Sequence, residues 1–89
     1  MNYSYPIEET WSKEEIADVV RFYERVESAY EVGVKAKSVL DAYERFKQIV
    51  PSKSEEKTYF RSFEKNSGYA SFKVVQKARK VDENTQIKC

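Results

Sequence analysis

The sequence predicts an all-α fold: a single small four-helix domain with an extended N-terminal arm. Three observations carry that prediction. Ser12 and Glu15 form a capping box ahead of apolar residues at helical spacing. Gly33, Pro51 and Gly68 punctuate the chain where helices must stop. Seven Tyr, five Phe and one Trp in 89 residues supply apolar surface that a disordered chain lacks. Composition pulls the other way, because ten Val and a single Leu look β-prone. Period and caps decide, since propensity is the weaker prior.

The first helix is expected over residues 13–32. Ser12 and Glu15 satisfy each other's backbone donors, and Trp11 and Ile16 stand at the two positions of a hydrophobic staple. Ile16, Val19, Val20, Tyr23, Val26 and Tyr30 share one face, and Gly33 is the natural stop. The second helix spans about 35–50, with Ala36, Val39, Leu40, Tyr43, Phe46 and Val50 as its stripe. Pro51 ends it by pushing the preceding residue out of helical geometry. Ser52 and Glu55 suggest a second capping box, which opens a third helix over 53–65 with Tyr59, Phe60 and Phe63 inward. The fourth covers 69–81, with Tyr69, Phe72, Val75 and Ala78 inward. Residues 1–11 read as an arm laid over the helices, and 82–89 as a polar, disordered tail beyond a domain of residues 1–81.

Several motif groups occur in a fixed order. Asn2-Tyr3-Ser4-Tyr5-Pro6-Ile7 is followed by Trp11-Ser12. Phe46 to Lys53 is followed by Glu55-Glu56-Lys57, and Phe63-Glu64 by Ser67-Gly68-Tyr69. In order and spacing the chain resembles the YktA-type uncharacterised protein family of small proteins from low-GC Gram-positive bacteria. The resemblance covers roughly residues 1–81. It implies a short, cytoplasmic, all-helical protein, and it brings no agreed activity and no catalytic residues.

The residues themselves argue against catalysis. Histidine is absent, which removes the commonest general base and the commonest zinc ligand. With only Gly33 and Gly68, no phosphate-cradling loop fits. Adjacent acids such as Glu14 and Glu15 point about 100° apart on a helix. Glu14 with Asp18, and Glu24 with Glu27, have spacings at which a hard cation can be held, against the plainer reading of a solvated acidic face. Cys89 is the only cysteine and sits beside Lys88 on the expected tail, where no substrate geometry can be maintained. No cofactor is expected. A lone thiol and the lack of a signal-peptide pattern or an apolar run near 18 residues point to a cytoplasmic address with no membrane span.

Two binding readings remain. Tyr3, Tyr5, Trp11, Phe22, Tyr59 and Tyr69 are more aromatics than four short helices need inside, and Tyr and Trp favour interfaces; Tyr3, Tyr5, Trp11, Phe22 and Tyr30 are the contact candidates. They suggest a non-catalytic protein–protein interaction module whose partner is another protein or a second copy of the chain. The alternative is nucleic acid. Lys73, Lys77 and Lys80 fall on one face of the fourth helix, which follows a short helix and a glycine turn. Against a helix-turn-helix pattern, Phe63, Tyr69 and Val74 match, while Glu64, Ser67 and Lys77 do not. Residues 1–31 hold eight acids and three bases, and 32–89 hold seven acids and thirteen bases. The net charge of +1 therefore hides an uneven distribution.

Overall fold

A computed structural model describes residues 5–89. Its described residues form α1 (Lys13–Glu31), β1 (Val34–Lys35), α2 (Ala36–Ile49), α3 (Lys53–Ser67), α4 (Ser71–Arg79) and β2 (Gln86–Ile87). The all-α architecture is as the sequence predicts, and the ladder of β1 and β2 is a minor addition.

Helix starts follow local chemistry. Ser12 Oγ accepts from the Glu15 N–H at 3.1 Å, and Glu15 Oε1 accepts from the Ser12 N–H at 2.8 Å. The box at α1 is thus complete. At α3, Ser52 Oγ accepts from the Glu55 N–H at 3.4 Å. Only that forward leg of the expected second box is present. Gly33 and Gly68 follow the ends of α1 and α3 at φ +98° and +83°, where a side chain would be strained.

The core is built from one face of each helix. Val19, Phe22, Tyr23, Val26 and Ala29 come from α1, Ala36, Val39 and Phe46 from α2. Phe60 and Phe63 come from α3, and Val74, Val75 and Ala78 from α4. The core rings Phe22, Tyr23, Phe46, Phe60 and Phe63 form one continuous cluster. Phe22 lies 5.2 Å from Phe46 between centroids, and Phe46 lies 5.4 Å from Phe60. Tyr23 stacks on Phe63 at 4.5 Å. The β-prone composition is accommodated here: bulky side chains at helical spacing fill a small core with few residues.

Three expectations are corrected. Phe22 is fully buried rather than an outward contact, because α1 is covered on a wider arc than its centred stripe predicts. On α4 the buried set is Ser71, Val74, Val75 and Ala78, so the inward face is rotated by one position and Phe72 is exposed. Finally, residues 82–89 are not a free tail. β2 pairs antiparallel with β1, Val34 opposite Ile87 and Lys35 opposite Gln86, and Ile87 joins the core.

That last segment also starts α2. Lys35 offers no side-chain cap. Instead the N–H groups of Ala36 and Lys37 donate to the carbonyls of Thr85 and Glu83, at 2.9 and 2.8 Å. Orphan donors at a helix start need an acceptor, and here backbone from the far end of the chain provides it. A Cβ at Gly33 would meet the flexible end of Gln86 at 2.8 Å, which can move aside, so it is the positive φ rather than this contact that asks for glycine. No helix of the described residues is long and apolar enough to cross a membrane.

Candidate functional site

Most of the aromatic contact candidates are taken up by the fold. Tyr5 stacks on Tyr23 at 5.7 Å, and its hydroxyl donates to Glu27 Oε1 at 2.6 Å. Trp11 packs on Tyr59 at 5.4 Å. Tyr30 stacks on Tyr69 at 4.7 Å, and its hydroxyl accepts from the Ala70 N–H at 3.2 Å. Tyr3 lies outside the described residues. These side chains clamp the arm onto α1 and α3 and the α3–α4 turn onto α1, which accounts for them without invoking a partner.

One acid of each candidate pair, Asp18 and Glu27, is likewise occupied. Asp18 receives Arg45 Nε at 2.8 Å and Arg21 at 2.8 Å. The Arg45 bond, foremost, holds its carboxyl below the usual carboxylate range. Glu27 is buried, and burial followed by the nearby Glu31 pushes its carboxyl up. Neither Glu14 with Asp18 nor Glu24 with Glu27 presents two free carboxylates.

The lysine candidates fare differently. Lys73, Lys77 and Lys80 are all exposed. Lys77 Nζ donates to the Lys88 carbonyl at 2.8 Å, so it helps to hold the last residues.

A concavity lies elsewhere, between α2, α3 and the first turn of α4, and encloses about 670 Å³. Its size is within the range of ligand sites. From α3 it receives Lys53, Lys57 and Arg61, four residues apart and hence on one ridge. A second ridge of the same helix adds Glu56, Phe60 and Glu64. α2 contributes Tyr43. From α4 come Ser71, Phe72 and Lys73, preceded by Ala70, with Arg79 at the helix's other end. The groove therefore combines five cationic side chains and three aromatic rings with two carboxylates.

One of those carboxylates is spent internally. Glu56 is 6% exposed. Its Oε2 accepts from the Tyr43 hydroxyl at 2.7 Å, and its Oε1 from Lys47 Nζ at 2.6 Å. Burial, then the bond to Glu56, pushes the Tyr43 phenol up to about 12. The Arg79 guanidinium stands 5.4 Å from the Tyr43 ring centroid, a cation–π contact. Phe72 is 47% exposed, an unusual position for a phenylalanine beside so many cations. Ser71 is 1% exposed, and its Oγ has no hydrogen-bond partner.

Sequence reasoning missed this groove. The four-residue spacing of Lys53, Lys57 and Arg61 was the available signal. Its meaning depends on the α3–α4 packing, which brings Phe72 and Lys73 alongside.

The sequence model of the uncharacterised protein family UPF0223 matches residues 2–87. This agrees with the family resemblance of the motifs from Asn2 to Tyr69. A UPF0223 protein of Oceanobacillus iheyensis is 56% identical over 84 residues, covering 94% of this chain and 96% of the relative. One from Lysinibacillus sphaericus is 51% identical over 88 residues, covering 99% and 93%. A Staphylococcus aureus relative is 49% identical over 88 residues, covering 99% and 97%.

Proposed function

The chain belongs to the uncharacterised protein family UPF0223, and from that premise we propose that it is a non-catalytic protein–protein interaction module acting in the cytoplasm. Its contact surface is the basic groove between α2, α3 and α4, and its partner is an acidic segment of another protein. The observation that carries this reading is the meeting of Lys53, Lys57 and Arg61 with the exposed ring of Phe72 along one concavity. Cations select an acidic partner and steer its approach, while aromatic surface supplies contact area. The cytoplasmic address is supported by the single unpaired cysteine.

The test is a titration of the isotopically labelled chain with an octaglutamate peptide, followed by NMR. Saturable shifts should gather on the groove, weaken with salt, and vanish in the variant carrying Lys53→Gln, Lys57→Gln and Arg61→Gln. Shifts that never saturate, or that survive the triple substitution, would sink the reading.

The second reading is nucleic-acid binding through Lys73, Lys77 and Lys80, favoured by the exposure of all three. Replacing them with Gln keeps helix propensity nearly constant. Under this reading the variant stays folded but loses affinity for every oligonucleotide alike. The slope of log affinity against log salt falls by roughly 0.7–0.9 per lost phosphate contact. Equal oligonucleotide binding by parent and variant removes this alternative.

A further inference from the structure

We infer that the cleft between α1 and α2 is a binding site for a small phosphate monoester, whose phosphoryl oxygens meet the guanidinium groups of Arg21, Arg25 and Arg45. The cleft shares no residue with the basic groove, so this inference stands independently of the groove reading.

One ridge of each helix builds the cleft. Asp18, Arg21 and Arg25 follow one another at steps of three and four residues on α1, and Ser38, Asp41 and Arg45 do the same on α2. Between them Ala42 has only a methyl group to fill the space. The cleft has a volume of about 260 Å³, below the ~300–1,000 Å³ of drug-sized ligand sites. At about 30 Å³ for each water-sized group, it takes on the order of nine non-hydrogen atoms. A phosphoryl group with a short hydroxylated chain is of that size.

Asp18 arranges two of the three guanidiniums. Its Oδ1 accepts from Arg21 Nη1 and its Oδ2 from Arg45 Nε, each at 2.8 Å. Arg45 Nη1 also donates to Gln48 Oε1 at 3.1 Å. These bonds fix both forks and leave further N–H donors on each of them. Half-buried Arg25 has no ion pair or side-chain hydrogen bond among the described residues, and nor has the Ser38 hydroxyl. Arg25 stands one turn from Arg21, where like charges repel. The helix is otherwise rich in acids, yet two of its bases gather here and meet a third cation from α2. Such a gathering costs stability unless an anion joins it.

The shape of the cluster selects the anion. Asp18 displays what a planar carboxylate does here: its two oxygens satisfy two guanidiniums, and Arg25 is left over. A phosphoryl group presents three terminal oxygens that are not confined to one plane, one for each fork. The charge agrees as well. Arg21, Arg25 and Arg45, with Lys37 beside Asp41 at 3.3 Å, outnumber Asp18 and Asp41 by two. A phosphate monoester carries about −1.5 to −2 at neutral pH. Asp41 and the Ser38 hydroxyl then serve as acceptors for hydroxyl groups on the ester's carbon chain.

The test titrates the isotopically labelled chain with glycerol phosphate, inorganic phosphate, glycerol and succinate at constant ionic strength. Glycerol phosphate should shift the Arg25 and Arg45 side-chain Nε signals and the Ser38 amide saturably, and glycerol should not. Inorganic phosphate should occupy the same site about threefold to tenfold more weakly, for want of the hydroxyl contacts. Arg25→Gln should lose about tenfold or more in glycerol phosphate affinity, the scale of a hydrogen bond to a charged group. Its urea midpoint should hold or rise, because a like-charge contact is relieved. Arg25→Lys, which keeps the charge without the fork, should recover only part of the affinity. Arg61→Gln, in the groove, should change nothing here. Succinate that binds more tightly than glycerol phosphate overturns the phosphoryl class. Inorganic phosphate that binds as tightly as glycerol phosphate overturns the ester. Unchanged affinity in Arg25→Gln, or an equal loss in Arg61→Gln, overturns the placement between α1 and α2. An oligonucleotide that shifts the same signals at lower concentration overturns the assignment to a small ligand. No saturable shift with either phosphate overturns the site altogether, whatever the octaglutamate peptide does in the groove.

Discussion

Ile87 sits opposite Val34 in a two-residue antiparallel ladder and is 2% exposed. Through this pair the last residues of the chain become part of the core. They carry with them the carbonyls that cap α2, since Thr85 and Glu83 accept from Ala36 and Lys37.

Ile87→Ala should therefore destabilise the whole domain, by about 2–5 kcal/mol for a buried aliphatic truncation. Its urea midpoint should fall with little change in slope. Hydrogen exchange should accelerate at the Ala36 and Lys37 amides before those in the middle of α2. An unchanged midpoint would mean that β2 contributes no stability.

Ser12→Ala should cost about 0.5–2 kcal/mol, the usual worth of an N-cap. Both legs of the box are present, at 3.1 and 2.8 Å, and the substitution removes only the side-chain acceptor. Urea unfolding reads this directly. Ser12→Asp, which keeps an acceptor, should recover most of the loss.

Phe22→Ala separates an interface role from a core role. A fully buried ring in contact with Phe46 and Phe60 should cost about 3–5 kcal/mol. For a small domain that is a large fraction of total stability. Thermal unfolding should shift strongly downward. A variant that keeps its midpoint would return Phe22 to the surface.

Alkaline unfolding should involve Tyr43. Its phenol is pushed up from 10.0 to about 12, first by burial and then by its bond to Glu56. Folding thus favours the protonated phenol. That contribution is fully present below pH 10 and is lost as pH rises towards about 12. Tyr43→Phe should cost about 1.5–3 kcal/mol at neutral pH, the scale of a hydrogen bond to a charged group. The gap between parent and variant should close as pH approaches 12. A gap constant with pH would show that the Tyr43–Glu56 bond does not set the alkaline limb.

The sequence by itself determined what depends on neighbours along the chain. The Ser12–Glu15 box, the left-handed glycines at 33 and 68 and the helix-ending proline are short-range devices. Their geometry is set within a few residues, so four helices and their approximate ends were legible. The all-α class followed from them despite a β-prone composition. Tertiary structure decided what each face meets. Phe22 reads as a flank until α2 and α3 cover it, and Phe72 reads as inward until the packing of α4 turns Ser71 inward instead. The segment Asp82–Cys89 reads as polar because a single isoleucine gives no period. Its pairing partner lies some fifty residues away, across a contact no local pattern encodes. The groove has the same origin. Lys53, Lys57 and Arg61 are a solvated helix face in one dimension. They become one wall of a binding surface only because the turn at Gly68 folds α4 back beside them.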